Sequence, residues 1–407
     1  MFSTLARSTA YRYAYRSSGF ATLKGGHYAS PVIPDMMMAA QIERHGTRLD
    51  VMEVPVPKIG KGQVLVKMMA SGVCHTDVHA VDGDWPVKSR LPLIPGHEGA
   101  GVVVKIADDV QRVKVGDRVG IPWLHTACGC CEFCVSGWET LCYSQHMTGY
   151  SVNGCYSEYV QAQGSHVVKI PDEVSFEQAA PLLCAGVTSY KGLKETETKP
   201  GEFCTIIGAA GGLGHLAIQY AKALGMVVGA VDVGADKLEY CRSLGADFCV
   251  DATDKDCAEQ VTQITGGGSH GVLVLATSAG AFDAAVHMAR RKGTLVSVGL
   301  PPGSFPTPIF EIVLKRVTLR GSIVGTRQDL VETLDFAARG LIKASVETDN
   351  LENINHIFDK LRASQVEGRI VLDFCNEGHP NCNIRHSKRP HASSTVRGRR
   401  HGGHFHH

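Results

Sequence analysis

The stretch CTIIGAAGGLG, residues 204–214, decides the fold of this 407-residue chain. An apolar β-branched segment turns at a run of glycines and passes into a predicted amphipathic helix, GLGHLAIQYAKALG, that ends at Gly225. The spacing is G/A-x-G-x-x-G, with Ala209 where the usual first glycine stands and Gly208 just before it. Glycines in such a turn let the backbone approach a pyrophosphate, whose charge faces the helix N-terminus. The turn residues predicted to bind a dinucleotide are Gly208, Ala209, Gly211, Gly212, Leu213 and Gly214.

An acidic residue follows this turn at the expected distance. The next predicted strand, MVVGAVD, ends at Asp232, twenty residues after Gly212. An acid there accepts hydrogen bonds from the adenosine ribose, and its charge repels a 2′-phosphate, so NAD is predicted rather than NADP. The alternative is that Asp232 only forms the turn before Val233 and Gly234. Lys237 could contact the same ribose or be an ordinary surface lysine.

The rest of the chain divides into segments of different character. Residues 200–310 alternate strands with helices of about 10–15 residues, which predicts a parallel, doubly wound sheet. One of these helices, AFDAAVHMARRKG, is predicted to run to Gly293. Residues 40–180 contain short β segments between Gly and Pro turns, and a last strand, GRIVLDF, follows two further helices after about residue 318. The fold class is therefore α/β, with a β-rich domain interrupted by an inserted parallel-sheet domain.

The charge is distributed unevenly, although the formal net charge is only +1. Residues 1–34 carry +4 and residues 376–407 carry +5, so residues 35–375 carry −8. An acidic body argues against a nucleic-acid partner or an anionic membrane surface. With 44% hydrophobic and 20% charged residues, the composition excludes disordered, collagen-like and disulfide-scaffold classes. No stretch is predicted to cross a membrane.

The two ends differ from the body. Residues 1–34 are rich in Arg, Ser and Tyr and contain no acid, which is typical of a mitochondrial transit peptide and predicts a location in the mitochondrial matrix. The alternatives are an uncleaved extension, or a start at Met36, Met37 or Met38 that leaves a cytoplasmic product. Residues 376–407 contain seven His and few apolar side chains, so they are predicted to be a disordered basic tail.

Four cysteines with the spacing C-x2-C-x2-C-x7-C predict a metal site: Cys128, Cys131, Cys134 and Cys142. Four thiolates on a short loop suit a tetrahedral, structural zinc ion. A disulfide cluster is the alternative for a protein outside a reducing compartment. A zinc-ribbon nucleic-acid module is disfavoured because the flanks lack Lys and Arg, and Cys130 lies off the register of the four.

A second, dispersed set of metal-ligating residues consists of Cys74 in CHTD, His97 in PGHEG and Cys184 in LCAG. Each cysteine alone is more typical of a small buried apolar residue. Together they give three protein ligands and leave one position open for a substrate oxygen, which is the arrangement of a catalytic zinc ion. The sequence therefore predicts two zinc ions per chain, one catalytic and one structural.

These motifs resemble the zinc-containing medium-chain alcohol dehydrogenases, most of all the yeast-type branch. The similarity covers nearly all of residues 38–375 and includes SGVCHTDVHAVDGDWP, GHEGAGVV and EGRIVLD. It implies a GroES-like catalytic domain with both zinc sites, a Rossmann domain that binds NAD, and usually a homotetramer. The expected bounds are 35–186 for the catalytic domain, 187–318 for the NAD-binding domain and 319–375 for the return to the catalytic domain.

The resemblance also implies a proton relay and cofactor contacts. Thr76 would accept the substrate proton and pass it through the nicotinamide ribose, and His79 would deliver it to solvent. Without that function both side chains would satisfy local backbone groups. His75 is expected near the pyrophosphate, and Val298 and Arg369 are expected among the cofactor-binding residues.

Two acids are expected beside the catalytic zinc. Asp77 would orient His97 from behind the metal. Glu98 would lie next to the metal as a catalytic residue, paired with Arg369. Either acid could instead belong to an ordinary structural ion pair.

The resemblance further implies the substrate. Trp85 and Trp123, which would otherwise be core aromatics, would narrow the cleft and, with Thr76, favour small primary alcohols. Leu300 stands where that branch more often has Met, which leaves the substrate range open. The implied reaction is the reversible oxidation of ethanol to acetaldehyde, with hydride passing to NAD from an alkoxide held on zinc. The alternatives are a dehydrogenase of bulkier alcohols or polyols, and a catalytically silent zinc- and nucleotide-binding protein.

Overall fold

The computed structural model describes residues 32–375. The predicted tail and nearly all of the predicted leader therefore lie outside the described residues. The strands are β1 Met36–Gln41, β2 Asp50–Pro55, β3 Gln63–Val73, β4 Gly99–Ile106, β5 Arg118–Ile121, β6 Leu124–Thr126, β7 His146–Met147, β8 Tyr159–Gln163, β9 Val168–Lys169, β10 Phe203–Ile207, β11 Val227–Asp232, β12 Phe248–Asp251, β13 Ser269–Val274, β14 Ala289–Ser297, β15 Thr318–Gly321, β16 Val346–Asp349 and β17 Arg369–Asp373.

The helices are α1 His75–Asp82, α2 Glu132–Val135, α3 Phe176–Pro181, α4 Val187–Glu195, α5 Gly214–Ala223, α6 Ala235–Ser243, α7 Cys257–Ile264, α8 Ala279–Met288, α9 Ile309–Lys315, α10 Arg327–Ala338 and α11 Ile354–Arg362. A π-helical turn, Leu182–Gly186, joins α3 to α4. Within residues 32–375, every helix is too short or too polar to span a lipid bilayer.

A six-stranded sheet in the order β12-β11-β10-β13-β14-β15 is parallel throughout. Along each strand, successive side chains point to opposite faces of the sheet. Ile206 thus belongs to the buried cluster that includes Leu216 of α5, whereas Ile207 belongs to the cluster that includes Phe282 of α8. Helices cover both faces, which confirms the doubly wound fold predicted from residues 204–214. The last strand ends at Gly321, three residues beyond the expected domain boundary.

A second, mixed sheet runs β16-β17-β3-β4-β5-β9, with β8 also paired to β3. Strand β17 is antiparallel to β3, and Ile370 lies opposite Val73. The last strand of the described residues, β17, therefore belongs to the same sheet as β3 and β4, which come from the first third of the chain. The six-stranded sheet is an insertion between these two parts, as the sequence predicted.

The predicted helix over residues 281–293 is wrong in its second half. Helix α8 ends at Met288, and β14 begins at Ala289. Ala289 pairs with Ser269 of β13, so backbone hydrogen bonds within the sheet replace those of a longer helix. The basic residues 290–292 are exposed at the beginning of this strand. From the sequence alone, such a polar run fits the end of a helix as well as the beginning of a strand.

The glycine-rich turn between β10 and α5 is closely packed. Gly208 has φ +80°, a left-handed conformation that favours glycine. A Cβ atom on Gly214 would lie 2.2 Å from the carbonyl oxygen of Gly208 and 2.4 Å from that of Ala209. Because both neighbours are backbone atoms, no side chain can rotate away to make room. Gly214 is thus required by the packing of the turn itself.

We predict that Gly214→Ala lowers the free energy of unfolding by about 1–3 kcal/mol, since an inserted methyl group must displace the backbone. Gly211→Ala is the matched control, because its Cβ would meet only the Gly208 oxygen, at 3.4 Å. Denaturant unfolding followed by circular dichroism, without any added nucleotide, measures both. Equal stability of the two variants would contradict this account of the turn.

Candidate active site

Four metal-ligating side chains lie close together where the β-rich domain meets the inserted parallel-sheet domain. Cys74 directly follows β3, His97 and Glu98 directly precede β4, and Cys184 lies in the π-helical turn. One donor atom from each lies within 4.8 Å of all the others, and all four residues are buried. Three of them are the predicted catalytic zinc ligands, Cys74, His97 and Cys184. Glu98, which was expected beside the metal, belongs to the same cluster.

The chemistry of this donor set fits a zinc ion. His97 Nε2 is fully buried and has no hydrogen-bond partner, a situation that costs about 1–3 kcal/mol unless something binds there. A hydrogen bond from Cys184 holds the pKa of the Cys74 thiol well below its usual value, and the same pairing raises the pKa of Cys184. Two sulfurs and one imidazole nitrogen are ligands that Zn²⁺ prefers.

Asp77 organises this cluster from behind. Its carboxylate is 1% exposed, and Oδ1 lies 2.7 Å from His97 Nδ1. Oδ1 also accepts the backbone N–H of Gly96, while Oδ2 accepts the N–H of Cys74 and the hydroxyl of Tyr156. Burial lowers the pKa of His97, but the charge of Asp77 and its hydrogen bond outweigh that effect and raise it. Because Nδ1–H donates to the carboxylate, Nε2 is directed toward the metal position, as predicted for Asp77.

Glu98 and Arg369 form a buried ion pair between Oε1 and a terminal guanidinium nitrogen. Burial raises the pKa of the Glu98 carboxyl, and the positive charge of Arg369 opposes that rise. Because the charges of Glu98 and Arg369 nearly cancel, the charge of a bound metal ion would be balanced by the thiolates of Cys74 and Cys184. A Cβ on Gly212 would lie 3.1 Å from Cδ of Arg369, so the glycine-rich turn rests against this pair. Arg369 thus connects the metal cluster to the predicted dinucleotide site.

Asp232 has a structural role in the same turn. Oδ2 accepts the N–H of Ala210 at 2.8 Å, and Oδ1 accepts that of Val233 at 2.8 Å. These are the turn-forming bonds of the alternative interpretation. A carboxylate has about four acceptor positions, so capacity for ribose hydroxyls is left. Lys237 Nζ lies 3.9 Å from Oδ1, within reach of any ligand held there.

Helix α1 presents the predicted relay residues. Thr76 and His79 are three residues apart and therefore lie on the same face of the helix. His79 Nδ1 lies 3.0 Å from both carboxylate oxygens of Asp84, a partner that the sequence analysis missed. His75 Nε2 lies 3.0 Å from the carbonyl oxygen of Leu361 in α11, to which it donates. This bond ties His75, expected near the pyrophosphate, to the C-terminal part of the domain.

A row of five rings joins the relay histidine to the metal-ligating histidine. Ring centroids lie 5.1 Å apart for His79 and Trp85, 5.7 Å for Trp85 and Tyr150, 5.6 Å for Tyr150 and Trp123, and 5.2 Å for Trp123 and His97. The two predicted cleft tryptophans are therefore brought together. Tyr150, which stands between them, was missed because nothing in the local pattern around it indicates a functional site.

Three further residues were either expected at the site or are found near its ligands: Leu300, Val298 and Thr188. Leu300, expected in the substrate pocket, is 63% exposed in the segment after β14. Val298 donates its N–H to Val274, at the carboxyl ends of two neighbouring parallel strands where ligands of such sheets bind. Thr188, four residues after Cys184, has a buried hydroxyl without a hydrogen-bond partner among residues 32–375. The sequence analysis did not single out Thr188.

The predicted structural zinc ligands also converge: one sulfur each from Cys128, Cys131, Cys134 and Cys142 lies within 4.8 Å of the others. The Cys128 and Cys134 sulfurs are 3.9 Å apart, too far for a disulfide but close to the ~3.8 Å edge of a tetrahedron with Zn–S bonds of about 2.3 Å. Cys128, Cys131, Cys134 and Cys142 are all free thiols. The disulfide alternative is therefore wrong for this structure.

The cysteine loop is anchored to the rest of the domain by a buried acid. Glu139 lies between the third and fourth cysteines, and its carboxylate accepts hydrogen bonds from the side chain and backbone of Arg327. Arg327 is the first residue of α10, a helix that packs beside the turn carrying Cys184.

Comparisons with known proteins agree with this architecture. Residues 60–172 match the alcohol dehydrogenase GroES-like domain, and residues 212–339 match the zinc-binding dehydrogenase domain. An alcohol dehydrogenase from Rhizobium meliloti is 56% identical over 337 residues, covering 83% of this chain and 98% of that protein.

Solved structures give the same result. The alcohol dehydrogenase of Aeropyrum pernix superimposes with a TM-score of 0.76 at 32% identity, covering 83% of this chain and 99% of that one. An acetophenone reductase from Geotrichum candidum, in complex with NAD, gives a TM-score of 0.74 at 29% identity over 84% of this chain and 98% of that one.

We predict that Asp77→Asn weakens zinc binding at the Cys74–His97–Cys184 cluster by about 10–100-fold, because the imidazole loses its orienting carboxylate. Tyr156→Phe, which removes one hydrogen bond from Asp77 but leaves the contact with His97, should cost less. Metal analysis after dialysis against graded chelator measures both. If the two variants retain zinc as the unsubstituted protein does, Asp77 does not position this ligand.

Proposed function

The chain belongs to the zinc-type medium-chain alcohol dehydrogenase family, and we propose that it reversibly oxidises small primary alcohols, ethanol first, with NAD as hydride acceptor. The observation that carries this proposal is the buried Cys74–His97–Cys184 cluster, with its unpartnered His97 Nε2. Because the Glu98 carboxylate is paired with Arg369, Cys74, His97 and Cys184 supply three ligands and leave one position open, which a silent zinc protein would not need next to a dinucleotide turn. When bound, zinc would lower the pKa of a coordinated hydroxyl, and NAD would accept hydride.

The protein's own residues prepare this chemistry. Asp77 fixes the His97 ring, so Nε2 does not have to reorient when the ligand sphere fills. The ion pair of Arg369 and Glu98 places a positive charge beside the glycine-rich turn and the metal cluster at once. The ion pair holds the guanidinium in place, so it does not have to reorient when a dinucleotide binds at the turn.

The proton of the alcohol needs a path out of the site. In the proposed relay, the Thr76 hydroxyl would accept the proton and His79 would deliver it to solvent, and a bound cofactor would supply the ribose hydroxyl between them. The Nδ1–H of His79 donates to Asp84, which leaves the Nε2 lone pair to receive the proton. His79 is one-third exposed, so the proton can pass from there to water.

NAD rather than NADP is proposed on the charge of Asp232. Its carboxylate is held rigidly by the N–H groups of Ala210 and Val233 and cannot swing away from a 2′-phosphate. The similar reductase from Geotrichum candidum is described in complex with NAD. Ethanol as the first substrate is proposed on the two large indole rings, Trp85 and Trp123, of the aromatic row.

A homotetramer is proposed as the functional assembly. Helix α9 exposes Ile309 and Phe310, each 79% accessible, and β15 is one of the two edge strands of the six-stranded sheet. Exposed apolar patches and open edge strands are features that second copies commonly cover. A location in the mitochondrial matrix is proposed on the Arg-rich, acid-free composition of residues 1–34. Sequencing the mature N-terminus from fractionated cells distinguishes it from a cytoplasmic product that begins at Met36–Met38.

The test of the proposed activity combines metal content with turnover. We expect the purified chain to hold two zinc ions and to form NADH from NAD and ethanol, with lower kcat/KM for sorbitol and for branched alcohols. Cys184→Ser should remove one zinc ion and abolish turnover, whereas Cys257→Ser, a buried cysteine outside both clusters, should change neither. One zinc ion per chain with no NADH formed would refute the proposal and support the silent protein.

We further expect Asp232→Asn to raise kcat/KM for NADP relative to NAD at least about tenfold, because removing the negative charge relieves its repulsion of the 2′-phosphate. Asp236→Asn, at an exposed position in the first turn of α6, is the control and should leave the ratio unchanged. An unaltered coenzyme ratio in Asp232→Asn would show that Asp232 serves the turn alone.

A further inference from the structure

A single turn, Met147–Tyr150, contacts both segments that carry the cleft tryptophans. Trp85 lies in the segment after α1, and Trp123 lies between β5 and β6. These two segments are more than thirty residues apart in sequence. Their rings both lie against Tyr150, which is only 3% exposed.

On the Trp123 side, the turn is held by two hydrogen bonds from one residue. The N–H of Thr148 donates to the carbonyl of Trp123 at 2.9 Å, and its hydroxyl donates to the carbonyl of Pro122 at 2.8 Å. Thr148 is fully buried, so these bonds are shielded from competing water. This end of the turn is therefore fixed to the rigid part of the domain.

On the Trp85 side, Tyr150 makes the contacts. Its hydroxyl donates to the carbonyl of Val87, and its own carbonyl accepts the N–H of Arg90 at 2.9 Å. We use the name Trp85 loop for residues 84–92. Val87, Lys88 and Arg90 are exposed in this loop, so this part of it is attached by Tyr150 and by the buried Ser89, whose hydroxyl donates to the carbonyl of Ala80.

The turn also rests directly on the metal cluster. Gly149 has φ +69°, and a Cβ there would lie 2.6–2.9 Å from backbone atoms of Gly96, the residue before His97. No side chain separates the two backbones at this point. The backbone beside the metal-ligating His97 therefore positions the turn, and the turn positions both tryptophans.

We propose that Tyr150 is a positioning residue that sets the size of alcohol accepted, by holding the Trp85 loop at a fixed distance from Trp123. The proposal rests on the proposed function, because it concerns the substrate of that site. The tyrosine hydroxyl closes the loop onto the turn, and the tyrosine ring keeps the two indoles apart. Short, unbranched primary alcohols fit the fixed cleft, and longer chains need the Trp85 loop to move outward.

A tyrosine that served only the core would behave differently. Its loss would lower stability and reduce activity toward all alcohols by a similar factor. A positioning tyrosine changes the ratio between alcohols, because loosening the loop lowers the barrier for the larger substrate more than for the smaller one. The specificity ratio and the mobility of the Trp85 loop therefore separate the two roles.

The variant Tyr150→Phe keeps the ring and removes only the hydroxyl bonded to Val87. We expect the ratio of kcat/KM for 1-hexanol to that for ethanol to rise about 3–10-fold, mainly through KM for hexanol, with kcat for ethanol within about twofold. Tyr190→Phe is the matched control: Tyr190 is also buried and its hydroxyl donates to Glu332, but it lies away from the Trp85 loop. Its ratio should not change.

A second readout needs no turnover. Trypsin can cut after Lys88 or Arg90 only if the Trp85 loop opens, so cleavage there should be several-fold faster in Tyr150→Phe than in the unsubstituted protein or Tyr190→Phe. Peptide mapping identifies the cut. Unchanged cleavage together with an unchanged hexanol-to-ethanol ratio would overturn the proposal.

The failure of the proposed function would look different. If the unsubstituted protein oxidises no alcohol, the activity proposal fails, and the trypsin experiment alone decides whether Tyr150 holds the loop. Should Tyr150→Phe prove unstable, the same two measurements on Tyr150→Trp, which retains an aromatic ring, decide it. Unchanged values in a folded variant would contradict the positioning role.

Discussion

The buried carboxylate of Asp77 is the contact on which the metal cluster depends. It receives hydrogen bonds from His97, from the backbone N–H groups of Cys74 and of Gly96, and from Tyr156. An isolated carboxylate at this depth would be very costly, and four donors offset that cost. The same four bonds fix the relative positions of the segment after β3 and the segment before β4. The geometry of the ligands is thus set by protein–protein hydrogen bonds, and not only by an ion.

A second buried charge joins the two domains functionally. Arg369 is the first residue of β17, a strand of the mixed sheet, yet its side chain lies against Gly212 of the inserted domain. It is held there by Glu98, which stands beside His97 in the metal cluster. A dinucleotide at the glycine-rich turn and a metal at the cysteine–histidine cluster would therefore share one guanidinium. Hydride transfer requires that proximity between the two sites.

The features predicted from the sequence were those with short, characteristic spacing. The glycine turn and the four loop cysteines have such spacing, and Cys74, His97 and Cys184, although dispersed along the chain, each stand in a short motif. The structure brings each set of metal ligands together and bonds Asp232 to the glycine turn. Tyr150 and Asp84 could not be predicted, since their roles come from contacts between segments that only the fold brings together. The end of α8 was misjudged because pairing with β13 outweighs a weak local helical pattern. The turn-forming bonds of Asp232 leave acceptor positions on its carboxylate, so this local role is compatible with the ligand-binding role proposed for it.

The return of the chain to its first sheet has a consequence for biosynthesis. Strand β3 is formed early, but the partner on one of its edges, β17, is almost three hundred residues later in the sequence. At about 5–20 residues per second on the ribosome, residues 70–73 of β3 lack this partner for roughly 15–60 seconds, whereas residues 63–67 of the same edge already have β8 as a partner. During this interval only the backbone groups at the end of β3 remain without their strand partner. The end of β3 is therefore completed only after the whole inserted domain has been synthesised.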